Sequence, residues 1–334
     1  MRRMAAIAVF ASAVALAAGT SAAPALAAPA AQGGDHGGWD HGPQYYLALG
    51  DSLSVGIQPD ATGTDVPTDQ GYPDQLASML QRRGHDLRLV KLGCSGETTV
   101  TFIDGGICTY PGNTQDGNSA QASSGQPAAD SQAAADSQPS ADSQLAAATQ
   151  FLRQHRGQVG LVTIDIGAND LNPCIALGQA TQIQACLTAL IPQVVANLTT
   201  IMSSLRQAGG APVQIIGMRY YDPELADWLT GPAGQSLAQA SVGLLDTYNG
   251  YLAGVYQQYG ADVADVFTAF DTTDFTDQVA LPGLGTLPRN VATICQLTWE
   301  CVPPPQGPNE HANAAGYHLI AETFLAAYHP WARP

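Results

Sequence analysis

Ser52 stands in the run Gly50-Asp51-Ser52-Leu53-Ser54, directly after a short apolar segment, and Gly50 permits the tight turn that would expose a hydroxyl there. Two further glycine-punctuated runs also follow apolar segments. Gly93-Cys94-Ser95-Gly96-Glu97-Thr98-Thr99 offers backbone N–H groups that a ligand can approach closely, and Gly167-Ala168-Asn169-Asp170 offers a side-chain amide. Near the C-terminus, His311 precedes Ala312-Asn313-Ala314-Ala315-Gly316-Tyr317. A hydroxyl, an imidazole and a set of N–H donors are what nucleophilic acyl chemistry requires: an attacking oxygen, a base for its proton, and hydrogen bonds aimed at the developing oxyanion. Any one of these runs is ordinary loop chemistry. Four in this order are much harder to reach by chance.

The elements that must position these groups alternate along the chain. Apolar runs at 45–50, 87–93, 161–167, 213–217 and 262–267 read as buried parallel strands. Helical periodicity marks 73–83, 145–155, 191–208, 237–259 and 312–328. This alternation implies an α/β domain with a central parallel sheet of about five strands, covered by helices on both faces. Such a sheet opens its crevice at the carboxyl ends of its strands, which is where Ser52, Gly96 and Asn169 fall.

From Tyr45 to Tyr328 the chain resembles the SGNH hydrolases, also called the GDSL esterase/lipase family, in their secreted bacterial branch; the blocks are GDSLS, GCSGETT, GAND and a C-terminal His followed by AxNxxGY. The resemblance implies a flavodoxin-like three-layer α/β/α sandwich that hydrolyses carboxylic esters without a cofactor or metal. It implies Ser52 as nucleophile and His311 as base, with the oxyanion held by the Ser52 and Gly96 N–H groups and the Asn169 side chain. The rival Gly-x-Ser-x-Gly elbow is absent. One departure matters. Where the family carries Asp-x-x-His, the third residue before His311 is Pro308. The ring must then be oriented by a backbone carbonyl, first that of Pro308, by the side-chain oxygen of Asn309, or by Glu310 or a distant acid. Two other functions stay open: a carbohydrate O-deacetylase, and a secreted binding protein that keeps the fold without turnover.

Composition sets the setting. Met1-Arg2-Arg3, an apolar run from Ala5 to Ala18 and the exit Ala25-Leu26-Ala27 describe a secretory signal over residues 1–27, followed by a tether at 28–42 and the hydrolase domain at 43–334. The apolar run is too short to span a bilayer comfortably, and no comparable run is apparent later, so stable membrane insertion is not expected. In an oxidising compartment the six cysteines read as disulfides, and their clustering pairs Cys94 with Cys108, Cys174 with Cys186 and Cys295 with Cys301. The Asp-His pairs at 35–36 and 40–41 read as solvated tether, not as a metal tract. A net charge of −16, or −18 once Arg2 and Arg3 leave with the signal, disfavours nucleic acid and anionic lipid as partners. The expected partner is a small-molecule or lipid ester, met by a monomer. Ala-Asp-Ser-Gln recurs three times, at 129–132, 135–138 and 141–144, inside a low-complexity insertion over about 113–142; its last copy offers helix-capping residues. Asp51 reads as a turn-former and Asp170 as a loop-holder, and His85, His155, His318 and His329 read as structural or solvated. Tyr220 and Tyr221 either line the acyl pocket or pack, and Trp299 would position the loop that carries His311.

Overall fold

The computed structural model describes residues 44–110, 123–124 and 142–329. The expected leader and tether, and nearly all of the repeat tract, lie outside the described residues. In chain order the elements are β1 (Tyr45–Gly50), α1 (Ser52–Val55), β2 (Ile57–Pro59), β3 (Asp65–Pro67), α2 (Tyr72–Arg82), β4 (Arg88–Lys91), α3 (Thr99–Asp104), β5 (Cys108–Thr109) and β6 (Ser123–Ser124). Then come α4 (Gln144–Gln154), β7 (Val159–Asp165), α5 (Asn172–Ile175), α6 (Ala180–Gly209), β8 (Gln214–Arg219), a 3-10 helix at Pro223–Thr230 and α7 (Pro232–Gln258). The last are β9 (Asp262–Asp265), α8 (Val266–Ala269), β10 (Gln278–Leu281), β11 (Gly285–Pro288), α9 (Arg289–Leu297) and α10 (Ala314–Ala327).

β1, β4, β7, β8 and β9 form one parallel sheet in the order β4-β1-β7-β8-β9. Numbered along the chain, those strands lie 2-1-3-4-5, the flavodoxin-like order. The direction of winding reverses between β1 and β7, and in such sheets the ligand crevice opens at that switch point, beyond the strand ends. β7 is buried throughout and β1 at all but its first residue, as central strands covered on both faces must be. α2 packs on α10 over one face, and α3, α4, α6 and α7 pack on one another over the other. The three-layer α/β/α sandwich is therefore present.

The sequence reading differs from the structure mainly in elements that lack a clean period. α6 begins at Ala180, eleven residues before the predicted 191, and carries Pro192 inside it. By length and average hydropathy, Thr181–Gly209 is also apolar enough to cross a membrane, which corrects the expectation of no later candidate. Its polar residues are scattered, so no unbroken apolar run announces it. Val194, Leu198, Ile201, Met202 and Leu205 form the face of this helix that is buried in the core shared with the sheet. Among the described residues three small antiparallel pairings, β2–β3, β5–β6 and β10–β11, have no counterpart in the sequence reading.

Candidate active site

β1 ends at Gly50 and the chain turns at once into α1. Asp51 caps this short helix, its Oδ1 accepting the Leu53 N–H at 3.0 Å. Ser52 opens the helix, so its N–H has no intrahelical partner and is free to donate elsewhere. Gln144 clamps the turn from the side: its Oε1 accepts the Gly50 N–H at 2.7 Å and its Nε2 donates to the Gly50 carbonyl at 2.9 Å. Ser143 caps α4 by accepting the Ala146 N–H, as its sequence suggests. The clamp made by Gln144 leaves no mark in the sequence beyond that cap.

Beneath the turn lies a buried carboxyl pair. Asp51 and Asp165, the last residue of β7, are hydrogen-bonded to each other and almost wholly inaccessible. Burial pushes Asp51 up to about 6 and Asp165 well above its ordinary value, and the mutual hydrogen bond favours a proton shared between the two. Tyr72 donates to Asp165 Oδ1 at 2.6 Å, the Ser54 N–H to its Oδ2 at 3.1 Å, and Tyr220 to Asp51 Oδ2 at 3.1 Å. Asp51 is thus more than a turn-former: it ties the Ser52 turn to β7 and to the segment after β8.

On the loop after β4, Gly96 has φ +80° and is solvent-exposed, a conformation that glycine adopts without strain. Asn169 donates through Nδ2 to the Glu97 carbonyl at 3.0 Å and accepts through Oδ1 from Asn172 Nδ2 at 3.2 Å, which leaves its second N–H unused. Asp170 holds the same loop as expected, accepting from the Thr99 N–H at 2.8 Å and its hydroxyl at 2.6 Å. The Cys94–Cys108 disulfide anchors that loop from behind, and Cys174–Cys186 and Cys295–Cys301 are paired as predicted.

His311 is buried, on a loop that ends at Asn313, the N-cap of α10. Its backbone carbonyl accepts from the Trp299 N–H at 3.1 Å, and Thr298 bridges Ala312, so the Cys295–Cys301 loop does hold the histidine segment. The ring's Nδ1–H donates to Asn309 Oδ1 at 2.8 Å, and the same oxygen accepts the His311 N–H at 3.0 Å. This corrects the first-ranked expectation, the Pro308 carbonyl. The Asn309 side chain folds back two residues, as Asn readily does, and fills the position beside Nδ1. Asp65 of β3 was not anticipated: its Oδ1 accepts from Asn309 Nδ2 at 2.8 Å and its Oδ2 lies 3.8 Å from His311 Nδ1. Burial lowers the His311 pKa, and the charges of Asp65 and Glu310 oppose that fall.

Ser52, Asn169 and His311 line one cavity of about 290 Å³. Gly96 lies on the adjoining loop and is not among the lining residues. Leu53, Ile175, Ile183, Leu187, Leu244 and Leu245 make the wall apolar. Tyr220 and Tyr221 both line it and both brace it, because Tyr221 donates to the Glu310 carbonyl at 2.7 Å while Tyr220 holds Asp51. This dipeptide therefore ties the residue before Ser52 and the residue before His311 to one segment. His85, His155, His318 and His329 do not line the cavity; His155, for example, donates through Nδ1 to the Phe151 carbonyl.

A model of the GDSL-like lipase/acylhydrolase family matches residues 48–319. The chain matches no curated protein. Among solved structures it is similar to the lipase Lip_vut3 from a goat rumen metagenome, at 14% identity and a TM-score of 0.48, over 85% of this chain and 97% of that one. It is also similar to phospholipase A1 from Streptomyces albidoflavus NA297, at 15% identity and a TM-score of 0.47, over 86% and 100% of the two chains. A third is LAE5, an alpha/beta hydrolase from the metagenome of Lake Arreo, at 19% identity and a TM-score of 0.46, over 86% and 95%.

Proposed function

The chain belongs to the GDSL-like lipase/acylhydrolase family, and from that premise we propose that it is an exported serine esterase that hydrolyses carboxylic esters through an acyl-enzyme on Ser52. The observation that carries this reading is the shared cavity: a hydroxyl from the end of β1, an amide from the end of β7 and an imidazole from the loop before α10 meet in one apolar pocket. Ser52 Oγ attacks the acyl carbon as His311 Nε2 takes its proton, and the Ser52 and Gly96 N–H groups with Asn169 Nδ2 hold the oxyanion. The protonated imidazole then delivers that proton to the departing alkoxide. Water, deprotonated by the same nitrogen, attacks the acyl-enzyme and releases the acid and free Ser52. Three disulfides fit export into an oxidising compartment.

The aliphatic wall favours acyl groups longer than acetyl, which sets a lipid-type or alkyl ester ahead of a carbohydrate acetate. Each methylene buried contributes about 0.8 kcal/mol, roughly a fourfold gain in kcat/KM, until the pocket is filled. The test is a p-nitrophenyl ester series from acetate upward, run beside fluorophosphonate labelling. Labelling at Ser52, loss of label and of turnover in Ser52→Ala, and a rate that climbs beyond acetate are expected. Full activity in Ser52→Ala would end the serine mechanism. A rate that collapses beyond acetate would promote the O-deacetylase, and a folded protein inert to the probe would promote the binding protein.

A further inference from the structure

The family's acid is missing from the sequence before His311, and the hairpin β2–β3 brings another carboxylate to the same ring. We propose that Asp65 is the positioning residue that takes the place of that acid, locking the Asn309 amide so that His311 keeps its proton on Nδ1. The inference rests on the reading of His311 as the base for Ser52.

The logic lies in donors and acceptors. An amide can present either its oxygen or its nitrogen to a neighbour, and at Asn309 two groups select the same orientation: the His311 backbone N–H, a donor that requires Oδ1, and Asp65, an acceptor that requires Nδ2. A carboxylate oxygen is an acceptor, so Asp65 Oδ1, 2.8 Å away, draws Nδ2 toward itself. The opposite end, Oδ1, must then face His311, where it meets the backbone N–H at 3.0 Å and the ring at 2.8 Å. An oxygen there requires the ring proton on Nδ1, and Nε2 is left with the lone pair that a base needs. The second carboxylate oxygen, 3.8 Å from Nδ1, supplies the negative charge that favours imidazolium once the proton has moved. The acid thus acts partly through the amide and partly through its field.

The hairpin is built to reach this point. Gly63 in its turn has φ +83° and abuts the Pro305 carbonyl so closely that a Cβ would collide with it. Tyr317 of α10 donates to the Ile57 carbonyl of β2 at 2.8 Å. Within the turn, Asp60 Oδ1 accepts from the Thr62 and Thr64 N–H groups at 2.8 and 3.0 Å. The strand carrying Asp65 is therefore fixed against both the histidine loop and the helix behind it. The carboxyl groups around the ring are Asp65 from the hairpin and Glu310 from its own loop, with Asp51, Asp222, Glu224, Asp227 and Glu300 on the cavity walls.

The test compares Asp65→Asn with Asp65→Ala. The asparagine can still accept from Asn309 but has no charge: kcat should fall about tenfold, and the acidic limb of kcat/KM should move to lower pH because imidazolium has lost its partner. The alanine frees the amide as well, and kcat should fall by about 10² to 10³. Independently of turnover, 15N NMR of the imidazoles should report His311 protonated at Nδ1 in the wild type and as a mixture of tautomers in Asp65→Ala. Wild-type rates in both variants, or losses with an unmoved acidic limb and an unchanged tautomer, would overturn the proposal. A wild type that fails to label at Ser52 but shows the tautomer change would instead overturn the esterase reading and leave this inference standing.

Discussion

Asn169 uses one N–H and its oxygen to hold itself, and in the proposed reaction its second N–H is the one left for the oxyanion. One N–H goes to the Glu97 carbonyl and its oxygen accepts from Asn172, so the amide is fixed before any ester arrives. Donors that need no reorganisation are the ones that lower a barrier, because they meet charge that exists only in the transition state. Asn169→Ala should therefore reduce kcat by about 10² to 10³ while leaving KM within a fewfold of wild type. Steady-state kinetics on one p-nitrophenyl ester decides it. A rise in KM with unchanged kcat would show that Asn169 binds the ground state instead. Fluorophosphonate labelling of Ser52 confirms that the variant still presents its nucleophile.

At the scale of elements, two of the disulfides brace different parts of the site, one the Gly96 loop and one the helices beside the aliphatic wall. Cys94–Cys108 closes a loop of about 15 residues behind Gly96, for which the chain-entropy model gives about 3 kcal/mol. Cys94→Ser with Cys108→Ser should lower Tm and, assayed well below the new Tm, should depress kcat more than KM because the oxyanion loop has lost its anchor. Removing Cys174–Cys186, which joins α5 to α6 beside the aliphatic wall, should instead change the dependence on acyl length. Equal effects of the two pairs on chain-length preference would refute this division. These local pairs were legible because each couple lies within 14 residues in the chain. That Ser52 and Asn169 would fall at one edge of the sheet was legible too, since strand ends in a parallel sheet announce themselves by apolar runs closed by glycine, whereas His311, on the loop before α10, was marked by the residues that follow it. Asp65 was not: its strand has only three residues, its period is too short to register, and its partner Asn309 is 244 positions away. The clamp on Gly50 by Gln144 was hidden in the same way, by a separation of 94 residues and a side chain that looked like the tail of a repeat.

Over the whole molecule, buried carboxyls set the response to pH. Burial pushes Asp51 and Glu97 up to about 6, Asp222 and Glu300 up to about 7, and Asp165 well above its ordinary value. A group whose folded pKa exceeds its unfolded value holds a proton that the unfolded chain would release. Its contribution is complete below about pH 4 and is lost as pH rises through the folded pKa. His311 has the opposite sign, because burial favours its neutral form and its contribution disappears as pH falls. The carboxyls outnumber it, and a net charge of −16 adds self-repulsion in their direction as pH rises. Thermal unfolding should therefore give a Tm that falls steadily from pH 5 to pH 8. Asp165→Asn should flatten that slope, since an amide supplies a donor to Asp51 that no base removes. A Tm that is constant or rises over this range would contradict the assignment of a retained proton to the pair. Activity follows a different group: His311 must be neutral, and its lowered pKa keeps it so into mildly acidic solution. Stability and basicity are thus both available on the acid side of neutrality, and a pH profile of kcat/KM measured beside the Tm series should show activity persisting there while the fold is at its firmest.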